Sequence, residues 1–168
     1  ALPLAPAQER LWFLDQLGLG SAYNMGQVVR LRGPLDVELL QASLDAVVDR
    51  HEILRTSYVD TEGEPRIEVR AGARVSIDHL RRDRSTSPPA SNSADEIRDH
   101  WDRETKKPFD LAAAPPLRAS LLALGPEEHV LFLTLHHIAG DDWSQATLLR
   151  ELVAIYRAAG EVESAGLP

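Results

Sequence analysis

Residues 133 to 149 read LTLHHIAGDDWSQATLL and concentrate the side chains best suited to chemistry. Two adjacent histidines, His136 and His137, close an apolar run, and two adjacent aspartates, Asp141 and Asp142, follow. Such a cluster has three readings: a metal site, a catalytic base with its supports, or plain packing. Side chains alternate across a strand, so the two rings should point to opposite faces, which weakens a shared metal ion. No His-x-Glu or Cys-x-x-Cys partner is present, and the chain has no cysteine. A serine hydrolase is disfavoured because there is no Gly-x-Ser-x-Gly elbow. What remains is one histidine facing a cavity and one packed inward. A histidine titrates at about 6.5 when unperturbed, so the outward one can accept a proton near neutrality. Asp141 is placed to fix the loop or to cap the next helix. The residues alone leave a structural pair and a catalytic pair equally open.

The elements that must position this segment are legible from pattern. Before it, LRASLLALGPEEHVLFLTLHH reads as two apolar runs around GPEE, a hairpin. Val130 to Leu135 are apolar at nearly every position, which predicts a central strand covered on both faces. After it, Leu149, Leu152, Val153 and Tyr156 stand in helical register up to Gly160. Upstream, residues 6 to 18 read as a helix carrying Leu11, Trp12, Leu14 and Leu17, with Pro6 near its start and Gly18 at its stop. Residues 26 to 33 read as a strand. Asp36 caps a helix whose face is Leu40, Leu44, Val47 and Val48. Residues 54 to 69 are two alternating runs around Glu62-Gly63, again a hairpin, and RVSIDHL is a further strand. Trp12, Phe13 and Trp143 are expected in the core, and His51 is expected to pack or to hydrogen-bond structurally. RRDRSTSPPASNS, 81 to 93, is a polar surface loop rather than a domain boundary, because the flanking segments are too small for separate cores. A charged helix follows, with a solvated face, and ends before Pro108. These elements predict an α/β (α+β) fold, helices packed on a mixed sheet.

Composition narrows the class. A length of 168 residues suits one domain or subdomain, and 43% hydrophobic residues suffice for a core. The net charge of −8 argues against nucleic acid. No apolar run approaches the roughly 20 residues of a membrane span, and the N-terminus has no signal-peptide pattern, so a cytoplasmic protein is expected.

HHIAGDDWS resembles the His-His-x3-Asp-Gly motif of the condensation domains of nonribosomal peptide synthetases, shared with chloramphenicol acetyltransferase and its superfamily. LAPAQERLWFLDQL, 4 to 17, resembles the family's first core motif, with Ala5 for the usual Ser. RHEILRTSY, 50 to 58, resembles the second, with Tyr58 for Phe. PFDLAAAPPLRASLL also matches family phrasing. The resemblance implies a chloramphenicol acetyltransferase-like fold, one of two subdomains, with the C-terminal subdomain as partner. It implies amide-bond formation between two substrates, each delivered on the phosphopantetheine arm of a peptidyl carrier protein, with no directly bound cofactor and no metal. SAYNMGQVVRLRG and HHIAGDDWS resemble the subtype joining an L-donor to an L-acceptor.

By motif, His137 is the catalytic residue: it either takes the proton from the attacking amine or holds that amine in place. His136 would support the strand end. Asp141 would be structural, held by a buried ion pair to Arg55, with Arg50 as the alternative. Asp142 stands where the family has Gly. It should tolerate a left-handed backbone, yet its carboxylate would crowd the pantetheine path or raise the pKa of His137. A related non-catalytic recruitment domain also ends its motif in Asp-Asp but lacks the second histidine, which is kept here. Carrier proteins are acidic, so Arg81, Arg82 and Arg84 are candidates for docking them. The rival readings are a non-catalytic scaffold and a coenzyme A-dependent acyltransferase.

Overall fold

The structure is a computed structural model that describes residues 2–80, 93–113, 115–160 and 165–167. The chain opens with a two-residue strand β1 (Leu2–Pro3) and helix α1 (Pro6–Leu14), which runs through a π-helical turn (Asp15–Leu19) and a 3-10 turn (Gly20–Tyr23) into β2 (Asn24–Arg32). Helix α2 (Val37–Arg50) and a 3-10 turn (Glu52–Arg55) lead into strands β3 (Thr56–Thr61), β4 (Glu64–Val69) and β5 (Ile77–Leu80). Helix α3 (Ser93–Lys106), β6 (Leu117–Gly125), β7 (Glu128–His136), a 3-10 turn (His137–Ala139) and α4 (Asp142–Arg157) complete the order.

Local signals account for most of these ends. The Asp36 carboxylate accepts from Leu39 N at 2.9 Å, satisfying one of the orphan donors of α2. The β3–β4 turn puts Glu62 and Gly63 at φ 56° and 84°, the pair of positive angles that a two-residue hairpin turn of matching twist requires.

The expected mixed sheet is present, and a second sheet accompanies it. Strands β2-β7-β6-β5 form a mixed four-stranded sheet in which only β5 and β6 run parallel. Strands β1-β4-β3 form a separate three-stranded sheet. Strand β7 is central, flanked on both sides by antiparallel partners, and every residue from Val130 to His136 is buried. Its two faces bury against different layers, as its unbroken apolar run requires. Leu131, Leu133 and Leu135 join Leu44, Val47 and Val48 of α2 and Leu148, Leu152 and Ile155 of α4 in the main core. Val130 and Phe132 pack with Ile97 and Trp101 of α3 on the other side. Each fully buried aliphatic side chain contributes about 1.5–3 kcal/mol, so this two-sided packing is what holds the end of β7 in place.

Trp12 is buried as expected, but Phe13 and Trp143 are 58% and 78% exposed. α1 packs through only part of its apolar face, and Leu17 in the π-helical turn that follows is also 59% exposed. The charged helix α3 has a half-buried face, with His100 buried on it. The predicted loop from 81 to 93, with Arg81, Arg82 and Arg84, lies almost wholly outside the described residues.

Candidate active site around His137

The site begins where β7 stops. His136 is the last strand residue, and by parity its ring falls on the α3 side of the sheet, fully buried. Its Nδ1 accepts from Ile138 N at 3.1 Å, and its ring meets Phe109 edge-on at 6.0 Å. Burial pushes its pKa down to about 4, reinforced by His137 and Arg118 and opposed by the Gly20 backbone. The Gly20 backbone favours the protonated ring, yet among the described residues Nε2 has no hydrogen-bond partner. Burial outweighs that opposing influence, so the ring is neutral at physiological pH.

His137 follows in the 3-10 turn and is exposed where His136 is buried. Its Nδ1 lies 2.6 Å from Gly140 O. A carbonyl only accepts, so Nδ1 carries the proton and the neutral ring keeps its lone pair on Nε2. Among the described residues no group of side chains has the arrangement of a metal site. His137 instead lines an open groove of about 620 Å³ with Gln8, Arg10, Tyr23 and Ser144. The turn beneath it needs Gly140. That backbone is extended, and a Cβ there would lie 2.7 Å from Ser144 Cβ, so the requirement is close approach rather than positive φ.

The proposed ion pair of Asp141 with Arg55 or Arg50 is not formed. Asp141 is exposed and is the N-cap of α4: its carboxylate accepts from Ser144 N at 2.9 Å and Ser144 Oγ at 2.8 Å. Those two bonds hold its carboxyl below the usual carboxylate range. A solvated carboxylate that caps a helix has no need of a guanidinium. Arg55 donates to Val48 O and Asp49 O at 3.1 and 3.0 Å, closing the last turn of α2. Arg50 Nε lies 3.5 Å from the buried Glu151 carboxylate, which also meets His51 Nε2 at 2.6 Å. The second motif therefore braces α4 against α2 instead of holding the aspartate.

Asp142 is the first residue of α4 and takes no positive φ, so the expected left-handed backbone is absent. An acidic side chain there faces the positive end of the helix dipole.

Three supports were missed from sequence. Gln8 Nε2 donates to Ile138 O at 3.3 Å and to Tyr58 Oη at 3.4 Å. Tyr58 Oη donates to the same Ile138 O at 3.2 Å. Gln8 lies inside the first motif and Tyr58 inside the second, which was the available signal. Arg118 sits 3.8 Å over the Phe109 ring and donates to Glu104 O in the last turn of α3 at 2.7 Å and to Lys107 O just beyond it at 2.9 Å. It thereby fixes the ring against which His136 packs.

A buried and an exposed histidine thus stand at the end of a central strand, before a helix cap. The condensation-domain family model matches residues 1–168, and the chain belongs to that family. It is 44% identical over 163 residues to a linear gramicidin synthase of Brevibacillus parabrevis, covering 95% of this chain and 2% of that protein. Among solved structures, the X-domain from teicoplanin biosynthesis matches at 34% identity and TM-score 0.80, over 95% of this chain and 33% of that one. The first condensation domain of the CDA synthetase matches at 26% identity and TM-score 0.77, over 94% of this chain and 38% of that one.

Proposed function

We propose that this chain is the N-terminal lobe of a peptide synthetase condensation domain, and that His137 serves amide-bond formation there. In this reading a donor acyl group arrives as a thioester on the phosphopantetheine arm of one carrier protein. An acceptor aminoacyl group arrives on another. The acceptor nitrogen attacks the thioester carbon, the C–S bond breaks, and the thiol leaves with the proton that the amine gives up. The observation that carries this is the His137 Nδ1 to Gly140 O contact of 2.6 Å. It leaves Nε2 as the free base on a residue lining the groove, which can receive that proton and return it to the leaving sulfur. Holding the amine at the carbonyl adds to the rate, since orientation alone supplies up to about 7–11 kcal/mol.

The L-donor, L-acceptor subtype, peptidyl carrier partners, a C-terminal subdomain and inactivity of the isolated lobe belong to the same proposal. A second reading, a non-catalytic docking scaffold, is favoured by the similarity to an X-domain solved in complex with OxyB, at 31% identity and TM-score 0.78. His137→Ala in an intact domain, assayed with two loaded carriers, separates them. Turnover should fall roughly 10²–10⁴-fold for a general base, and a wild-type domain that makes no product would favour the scaffold.

A further inference from the structure

Ile138 follows the candidate base and is 3% exposed, and its carbonyl sits in a 3-10 turn of only three residues, His137–Ala139. So short a turn closes only its first carbonyl, His137 O accepting from Gly140 N at 3.4 Å, and the buried carbonyl of Ile138 needs an outside donor. Two donors reach it from different elements: Gln8 Nε2 on α1 at 3.3 Å and Tyr58 Oη on β3 at 3.2 Å, themselves joined at 3.4 Å. Tyr58 is 1% exposed, so its hydroxyl has no competing access to bulk water. The tie lies inside the clasp that sets the base, because His137 Nδ1 bonds Gly140 O across Ile138 and Ala139. If the Ile138 carbonyl turned, the Gly140 carbonyl would leave Nδ1, and the ring proton would no longer be confined to that nitrogen.

We propose that Tyr58 and Gln8 are positioning residues for His137, acting through the Ile138 carbonyl to fix the ring's orientation and tautomer. This rests on His137 being the base. The donor at position 58 is the phenol hydroxyl alone, carried on a ring that is 1% exposed. Tyr58→Phe therefore removes the donor and keeps the ring that fills the core.

The test is the ¹⁵N spectrum of histidine-labelled intact condensation domain carrying this chain, with Tyr58→Phe, Gln8→Leu and the double variant. The His137 signals should move toward the Nε2–H tautomer in each single variant, and furthest in the double. Turnover should fall about threefold to tenfold per donor, the range for one hydrogen bond, with carrier KM unchanged. His137 shifts identical to wild type in all three variants would overturn the proposal. Should Tyr58→Phe fail to fold, Gln8→Leu decides alone, as its side chain is partly exposed. The spectrum is read without turnover, so a His137→Ala domain that keeps full activity would refute the base and leave this result standing.

Discussion

His51 Nε2 lies 2.6 Å from the Glu151 carboxylate, joining the end of α2 to the middle of α4. The same oxygen is 3.5 Å from Arg50 Nε, and the Glu151 side chain is 4% exposed while its two partners are about a third exposed. A carboxylate buried this deeply needs its donors, and removing it leaves two half-buried nitrogens facing an emptied pocket. Glu151→Ala should therefore destabilise the fold by about 3 kcal/mol, the low end for breaking a buried pair because the partners stay partly solvated. Glu151→Gln should cost less. Urea unfolding of the three proteins checks this, and an alanine variant as stable as wild type would refute the brace.

Asp141 gives the contrasting case. As an exposed cap, its loss should fray the first turn of α4 without the collapse expected of a broken buried ion pair. Asp141→Asn, which also caps, should retain most of the stability of the parent. Its carboxyl is held low, so its stabilising contribution is present above the ordinary carboxylate pKa of 3.8 and is lost as pH falls through the folded value. Thermal melts of the Ala and Asn variants at pH 7 would show the difference, and equal, large losses in both would contradict the capping role.

The buried His136 makes the fold acid-sensitive in a higher window. Its folded pKa of about 4 lies below the ordinary 6.5, so between those values the unfolded chain binds a proton that the native one refuses. Stability should be fully present above pH 6.5, fall as pH drops toward 4, and lose roughly 3 kcal/mol in total from this group. His100, whose pKa burial also lowers and whose Nε2 is 2.7 Å from Ser120 Oγ, adds a slope of the same sign. Unfolding free energies measured from pH 7.5 to 4 test this, and a flat profile would contradict it.

Asp142 sits at the start of α4 with its carboxylate outside the groove-lining set around His137. Asp142→Gly should weaken that helix end by about 0.5 kcal/mol through the lost dipole interaction. In an intact domain it should keep or raise turnover. A fall in turnover at unchanged melting temperature would show instead that the carboxylate makes a needed contact.

Gly26 on β2 is covered by the Trp101 indole: a Cβ there would lie 2.4 Å from Trp101 Cζ3. Gly26→Ala should push α3 off the sheet and cost about 1–3 kcal/mol by overpacking. Trp101→Leu in the same background should recover part of that loss, as measured by urea unfolding.

Much of the fold was legible because its signals are local. Asp36 caps a helix three residues away, Glu62-Gly63 sets a turn from its own backbone preferences, and the unbroken run of β7 announces a strand buried on both faces. The opposite burial of His136 and His137 agrees with the alternation expected at a strand end, although His137 already lies in the 3-10 turn, and the expectation that His137 is catalytic came from motif resemblance. The partners of these residues were not legible, because they are set by packing across long stretches of chain. Tyr58 and Ile138 are 80 residues apart, and His51 and Glu151 are 100 apart. Arg55 had two chemically reasonable acceptors, a carboxylate and the end of a helix. Only the placement of α2 beside the 3-10 turn selected the carbonyls, while the exposure of Asp141 left water and Ser144 to satisfy its charge. The separate three-stranded sheet and the exposed Trp143 have the same origin: residue type reports what a side chain prefers, and tertiary packing decides which preferences are met.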